Sequence, residues 1–191
     1  MSLSTSSGPK CEASIIWKSS GRQTPLKSTF NVRLAIAAIG KLKHGPEKLL
    51  AEDYAARIPL LGKKAGITAL KINDWSESQR PDATQRMTEE HAQLWSAVPQ
   101  GAFVIALDER GKAESSTVFA TKLGKLAEQA QSDVVFLLGG PDGHAPETRS
   151  RAHELLAFGP MTWPHRLARI MLLEQIYRSV TILVNHPYHR V

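Results

Sequence analysis

Four short segments of this chain are apolar almost without interruption: Val32–Ile39, Ile67–Ile72, Phe103–Leu107 and Val134–Leu138. A strand with one wet face alternates apolar and polar residues, whereas a strand buried on both faces does not. Continuous apolarity over so few residues predicts strands of a parallel sheet covered on both faces, and such a sheet needs helices on both sides. The intervening sequence supplies them. Gly45-Pro46 opens a helix carrying Leu50, Tyr54 and Ile58 at four-residue spacing, with proline suited to the first helical position. Met87, His91, Leu94, Trp95 and Val98 form a second amphipathic face, and Phe119, Leu123, Leu126, Ala127 and Ala130 a third, capped by Ser115 or Ser116. Asn73–Asp82 reads as an exposed loop, Asp108–Lys112 as the exit from the third strand, and Glu147–Leu156 as another helix. After Pro164 comes the strongest helical pattern, with Ile170, Leu173, Tyr177, Val180 and Val184 spaced by three and four, ending at Asn185-His186-Pro187. That seam suits either a partner helix or the chain's own sheet. The expected fold class is α/β.

Charge and composition narrow the function classes. The formal net charge is +6. Residues 1–31 contribute four cations (Lys10, Lys18, Arg22, Lys27) against Glu12, or +3; the other 160 residues carry 20 basic and 17 acidic groups, also +3. A mildly basic body permits a phosphate-bearing partner without requiring one. No stretch approaches the ~20 apolar residues of a membrane-spanning helix, so no membrane association is expected. The single Cys11 excludes an internal disulfide framework and fits a reducing compartment. Residues 1–31, rich in Ser, Thr, Gly and Pro, read as a disordered extension ahead of one domain over 32–191.

Ligands of open α/β sheets bind outside the carboxyl ends of the strands. Three segments occupy such places: Leu107 onward, Gly139-Gly140-Pro141-Asp142-Gly143, and Gly159–Pro164. The paired glycines allow close main-chain approach to a ligand, or simply make a tight turn. No Gly-Lys-Ser/Thr follows them and no GxGxxG occurs, which argues against a phosphate-loop hydrolase and a dinucleotide fingerprint. The tail Asn185-His186-Pro187-Tyr188-His189-Arg190 gathers proton-transfer and hydrogen-bonding groups, and is otherwise a solvated end. Pro187 prevents a regular helical ligand face for His186 and His189, and no carboxylate completes a metal site there.

Taken together, these pieces form a pattern. Arg33-Leu34 through Gly40-Lys41, Leu107-Asp108-Glu109-Arg110-Gly111-Lys112, Ser115-Ser116 with Phe119-Ala120, Leu138 through Gly143, Met161-Thr162-Trp163-Pro164-His165, Glu174-Gln175-Ile176-Tyr177-Arg178 and the Asn185–Arg190 ending occur in one order over about 160 residues. From Val32 to Val191 the chain resembles the ribosomal RNA large subunit methyltransferase H family, a branch of the SPOUT methyltransferases. The resemblance implies a parallel-sheet domain with a C-terminal trefoil knot, a cytoplasmic homodimer, and S-adenosylmethionine as methyl donor without a metal. It implies methylation of N3 of a pseudouridine in 23S (large-subunit) ribosomal RNA, within the ribosome. A non-catalytic RNA-binding or ribosome-associated module of the same fold is the alternative.

By motif position, the resemblance implies cofactor contacts from Leu107, Gly140, Gly159, Pro160, Met161, Thr162, Trp163 and Pro164. Leu107 would be an apolar wall, Gly140 a point of close approach, and 159–164 a wrap around the adenosine. Met161 and Trp163 have ordinary core packing as their competing role. Asp142 stands where the family pattern leads one to expect Glu. In the tail, His189 is the candidate for proton handling, Tyr188 would help hold the base, and Arg190 and Arg178 would bind phosphate or stabilise developing negative charge. Arg178 could equally pair with Glu174, four residues earlier on the same helix. His165 could cap its helix, orient the loop or contact RNA.

Overall fold

The computed structural model describes residues 31–129 and 131–189. The expectation of a disordered N-terminal extension, and Arg190, therefore lie outside the described residues. In chain order the elements are β1 (Val32–Ile39), α1 (Pro46–Gly62), β2 (Ile67–Trp75), α2 (Ala83–Ser96), β3 (Phe103–Ala113), α3 (Ser116–Glu128), β4 (Asp133–Leu138), α4 (Pro146–Arg151), β5 (Glu154–Ala157) and α5 (His165–Leu183). The strands form one sheet in the order β2-β1-β4-β3-β5, and every pairing is parallel.

The continuous apolarity of the strands has the cause expected of it. Leu34, Ile36 and Ala38 of β1, with Val134, Phe136 and Leu138 of β4, enter a core completed by α1, α3 and α5. Ala37 and Ile39, with Val135 and Leu137, enter a second core on the opposite face beneath Leu94 of α2. Both faces are thus buried, and alternate residues of one strand serve different cores. Crossovers β1-α1-β2 and β3-α3-β4 step one way along the sheet with helices on the first face. The β2-α2-β3 crossover steps the other way with its helix on the second, which keeps one hand throughout. Local signals fix the helix starts: Ser115 Oγ accepts from the Val118 amide at 3.3 Å, and Asp82 Oδ1 from the Gln85 amide at 3.0 Å.

Four expectations are corrected. β2 continues to Trp75, because Asn73, Asp74 and Trp75 pair with Ala37, Ala38 and Ile39; only the remainder of Asn73–Asp82 is loop. β3 continues to Ala113: residues 108–111 bulge out, and Lys112 and Ala113 rejoin the ladder with β5. The helix expected over Glu147–Leu156 stops at Arg151, and Glu154–Ala157 forms a fifth strand. Glu, Leu and Ala favour helix locally, but pairing of Ile105–Leu107 with Glu154–Leu156 overrides that preference. His153 begins the switch, its amide donating to Val104 O at 2.9 Å and its Nδ1 accepting from the Val104 amide at 3.0 Å. Finally, Leu173, Tyr177 and Val180 of the α5 seam are buried in the chain's own core with α1 and α3, so most of that stripe is not partner surface.

Candidate functional site

The carboxyl ends of β3 and β4 open into a cleft of about 600 Å³, the size range of small-molecule sites. Leu107, the last residue of β3 before its bulge, and Leu138, the end of β4, stand in its wall, the 139–143 turn forms one side, and residues 156–159 and 161–165 the other. Of the residues assigned to the cofactor by resemblance, Leu107, Gly140, Gly159, Met161, Thr162, Trp163 and Pro164 line this one cleft. Pro160 is exposed and does not. Met161 is 68% and Trp163 39% exposed, so core packing is not their role in the single chain.

The glycines differ in what they need. Gly159 has φ +98°, and a Cβ there would meet nothing within 4 Å; glycine is required for the backbone conformation alone. Gly140 is the reverse case. Its Cβ would lie 2.8 Å from Glu90 Oε2 and 3.0 Å from Ile39 Cγ2, both within the protein. Gly140 lets the turn settle deeply onto α2 and β1, and the cleft gains its depth from that.

Charged groups border the apolar walls. Asp142 accepts a two-pronged pair from Arg86, at 2.6 Å from Nε and 3.1 Å from Nη2, and this holds its carboxyl below the ordinary range. Arg86 Nη1 also donates to the Arg80 and Pro81 carbonyls, at 2.9 and 3.0 Å. The shorter Asp142 is thus fixed to α2. His144 is 2% exposed, neither ring nitrogen has a hydrogen-bond partner among the described residues, and burial holds its pKa down. Asp108 lies 3.7 Å from Arg149 at the same edge. His165 wedges against Gly40, whose Cβ would sit 2.6 Å from Nε2, and its Nε2 is 3.6 Å from Glu77. With no side-chain cap on α5, the orienting role is the one its contacts fit.

The tail residues lie elsewhere. Tyr188 packs edge-on against Tyr177 at 4.9 Å between ring centroids, and its hydroxyl donates to Glu174 Oε1 at 3.2 Å. Partial burial, with Tyr54 and Glu174 beside the hydroxyl, pushes its pKa up. Arg178 pairs with Glu174 through Nε at 2.9 Å and lies over the Tyr188 ring at 5.2 Å. The His189 amide donates to the His186 carbonyl at 3.3 Å, while its Nδ1 is buried without a partner among the described residues. None of Arg178, Tyr188 and His189 lines the cleft of its own chain. Glu174 instead lines a second cleft beside Leu50, Ile170 and Met171, which shares residues 156–159 with the first.

Sequence reasoning missed Glu90, Arg86 and His144. Glu90 carried a readable signal: it falls three residues after Met87 and four before Leu94, on the apolar face of α2. Arg86 carried none, since its partner Asp142 comes from the turn after β4, and neither did His144, whose burial is set by the fold rather than by its neighbours in sequence.

The fold and cleft define an α/β protein with a nucleoside-sized site at the carboxyl edge of a parallel sheet. A family model described as "Predicted SPOUT methyltransferase" matches residues 32–189. Similar curated proteins are a ribosomal RNA large subunit methyltransferase H from Rhodopseudomonas palustris (strain HaA2), 49% identical, and one from Nitrobacter winogradskyi, 46% identical. Each alignment spans 159 residues, 83% of this chain and 99% of the relative. Solved structures aligned with the chain include a probable methylase family protein from Haemophilus influenzae Rd KW20, at TM-score 0.46 and 14% identity over 85% of this chain and 71% of that one. The chain belongs to the ribosomal RNA large subunit methyltransferase H family of SPOUT methyltransferases.

The cleft suits the methyl donor of such enzymes. An apolar wall at Leu107, a loop turned at Gly159 and two exposed large apolar side chains match a nucleoside's apolar faces. Main-chain groups of 159–164 are the candidates to read its polar edges.

Proposed function

We propose that this protein transfers a methyl group from S-adenosylmethionine to N3 of a pseudouridine in large-subunit ribosomal RNA, acting as a cytoplasmic homodimer on the ribosome. The observation that carries the reading is the convergence of Leu107, Gly140, Gly159 and 161–164 on one cleft, in a chain 49% identical to a large subunit methyltransferase H over nearly the whole relative.

Bound there, S-adenosylmethionine supplies an electrophilic methyl group on a sulfonium. Leu107, Met161 and Trp163 exclude water from it, and the 159–164 main chain orients the adenosine. Such alignment is worth several kcal/mol, because reactants are held in reacting geometry. The base gains a methyl at N3 and loses the N3 proton. His189 accepts that proton, Tyr188 steadies the base, and Arg178 and Arg190 hold phosphate or developing negative charge; a positioned base contributes roughly 10²–10⁴-fold. Because the tail does not line its own chain's cleft, we assign it to the cleft of a second copy. Exposed Leu167 and the partly exposed Ile170 and Met171 are then dimer surface. A trefoil knot belongs to the same reading, with the 108–113 segment packed hard on β5: a Cβ on Gly111 would lie 2.6 Å from the Leu155 and Leu156 main chain.

Mass spectrometry of ribosomal RNA from cells with and without this protein tests the reaction. Deletion removes an N3-methylpseudouridine from the large subunit, and purified protein with S-adenosylmethionine restores it. Unchanged methylation after deletion defeats the reading; calorimetric binding of S-adenosylmethionine without transfer favours a non-catalytic RNA-binding module.

A further inference from the structure

Glu90 is the charged side chain that the site's chemistry leaves unused. It sits on α2, 3% exposed, under the turn that forms one side of the cleft. Oε1 accepts from the Ser78 amide at 3.0 Å, whereas Oε2 has no hydrogen-bond partner among the described residues. Both oxygens lie close beneath Gly140, at 2.8 and 3.1 Å from where its Cβ would be, without a well-formed hydrogen bond to the Gly140 amide. One carboxylate therefore holds the Ser78 segment by a hydrogen bond and lies directly against the 139–143 turn.

The surroundings disfavour its charge. Burial is the main cause of a raised pKa, and the Asp142 and Glu77 carboxylates add to it; the Ser78 and Gly140 amides oppose it. Arg86 is the nearby cation on α2, but its fork is engaged by Asp142. Glu89 and Arg80 pair with each other, Glu89 also accepts from Ser78 Oγ, and the apolar Ile39 of β1 meets the same Gly140 position.

We propose that Glu90 is a positioning residue whose carboxylate clamps the Gly140 main chain to the Ser78 segment, sets the depth of the cofactor cleft, and lets go when it takes up a proton. An ionised carboxylate offers acceptors to both amides. A protonated one turns an oxygen into a donor that faces another donor, so the turn must shift. The proposal rests on the cleft being the S-adenosylmethionine site.

The experiment titrates S-adenosylmethionine calorimetrically into full-length wild type and Glu90→Gln between pH 8 and 5.5, with melting curves as folding controls. Gln matches the protonated shape at every pH. Wild type should bind about tenfold more tightly at pH 8, the scale of a lost charge-assisted hydrogen bond, and the two should converge as pH falls. Equal affinities at pH 8, or a constant gap across the range, overturn the clamp. In parallel, the Gly140 amide resonance of wild type is followed against pH without ligand. It should titrate with the midpoint of the affinity change and stand still in Glu90→Gln; a flat wild-type response overturns the clamp. If Glu90→Gln does not fold, the wild-type resonance and affinity profile decide. If wild type binds no S-adenosylmethionine at any pH, the proposed function fails, and the resonance still judges the clamp.

Discussion

At the scale of single residues, two glycines of one cleft fail in different ways when replaced. Gly159→Ala must hold a left-handed backbone that costs an L-residue about 1–2 kcal/mol, with no steric conflict. It should weaken S-adenosylmethionine binding by roughly tenfold while the melting temperature moves little. Gly140→Val drives methyl groups into Glu90 and Ile39, so it should lower both affinity and melting temperature. Calorimetry beside thermal melts separates the two. His144 and the half-buried His165 make a second prediction. His144 has its pKa held below 6.5 chiefly by burial, and so does His165. The unfolded chain then binds more protons than the native one, so stability is full above about pH 6.5 and declines as pH falls toward the depressed folded values. His144→Leu should flatten that decline in denaturant titrations from pH 7.5 to 5.5; an unchanged slope would show that the imidazole contributes nothing to it.

At the scale of elements, α5 divides into a face that folds the chain and a face left over. Leu173 is fully buried against the first core, so Leu173→Ala should cost about 2–5 kcal/mol in denaturant unfolding. Leu167, 43% exposed, should tolerate Glu in the folded chain yet shift sedimentation from dimer to monomer. Loss of folding in Leu167→Glu, or an undisturbed dimer, would count against that division. The stripe itself was legible in the sequence; which way it faced was not, since spacing cannot tell one's own core from a partner's. The same limit explains β5. Glu154–Ala157 has a helix former's composition, and only the neighbouring edge of β3, forty-odd residues earlier, makes it a strand. β1 and β4 were readable because burial on both faces writes itself into every residue. The cleft's glycines and 161–164 loop were readable as motifs and Glu90 as a charge on the apolar face of α2, while Arg86 acts through a contact with Asp142 that no local pattern encodes.

At the scale of the whole molecule, the separation of tail and cleft makes the strongest demand. Tyr188 rests on Glu174 of its own α5, away from the cleft its chain builds. At S-adenosylmethionine concentrations where each is impaired alone, a Gly159→Ala protein and a His189→Ala protein, mixed and allowed to exchange subunits, should exceed the activity of either parent. Verified exchange without recovery would place the tail's chemistry within one chain. A protein starting at Val32 should remain folded and active, because the sheet's first strand begins there.

The strand order also dictates how this chain can be made. β4 sits between β1 and β3, so β3 has no strand beside it until residues 133–138 have left the ribosome, and β5 cannot pair before β3 is fixed. Through the synthesis of α3, the nascent chain therefore carries Val104, Ile105 and Ala106 on an unpaired strand. Such exposed apolar edges are what chaperones engage and proteases cut. Ribosome-bound chains halted so that only residues up to 129 have emerged should be cleaved readily between β3 and α3, and released chains that include α5 should resist.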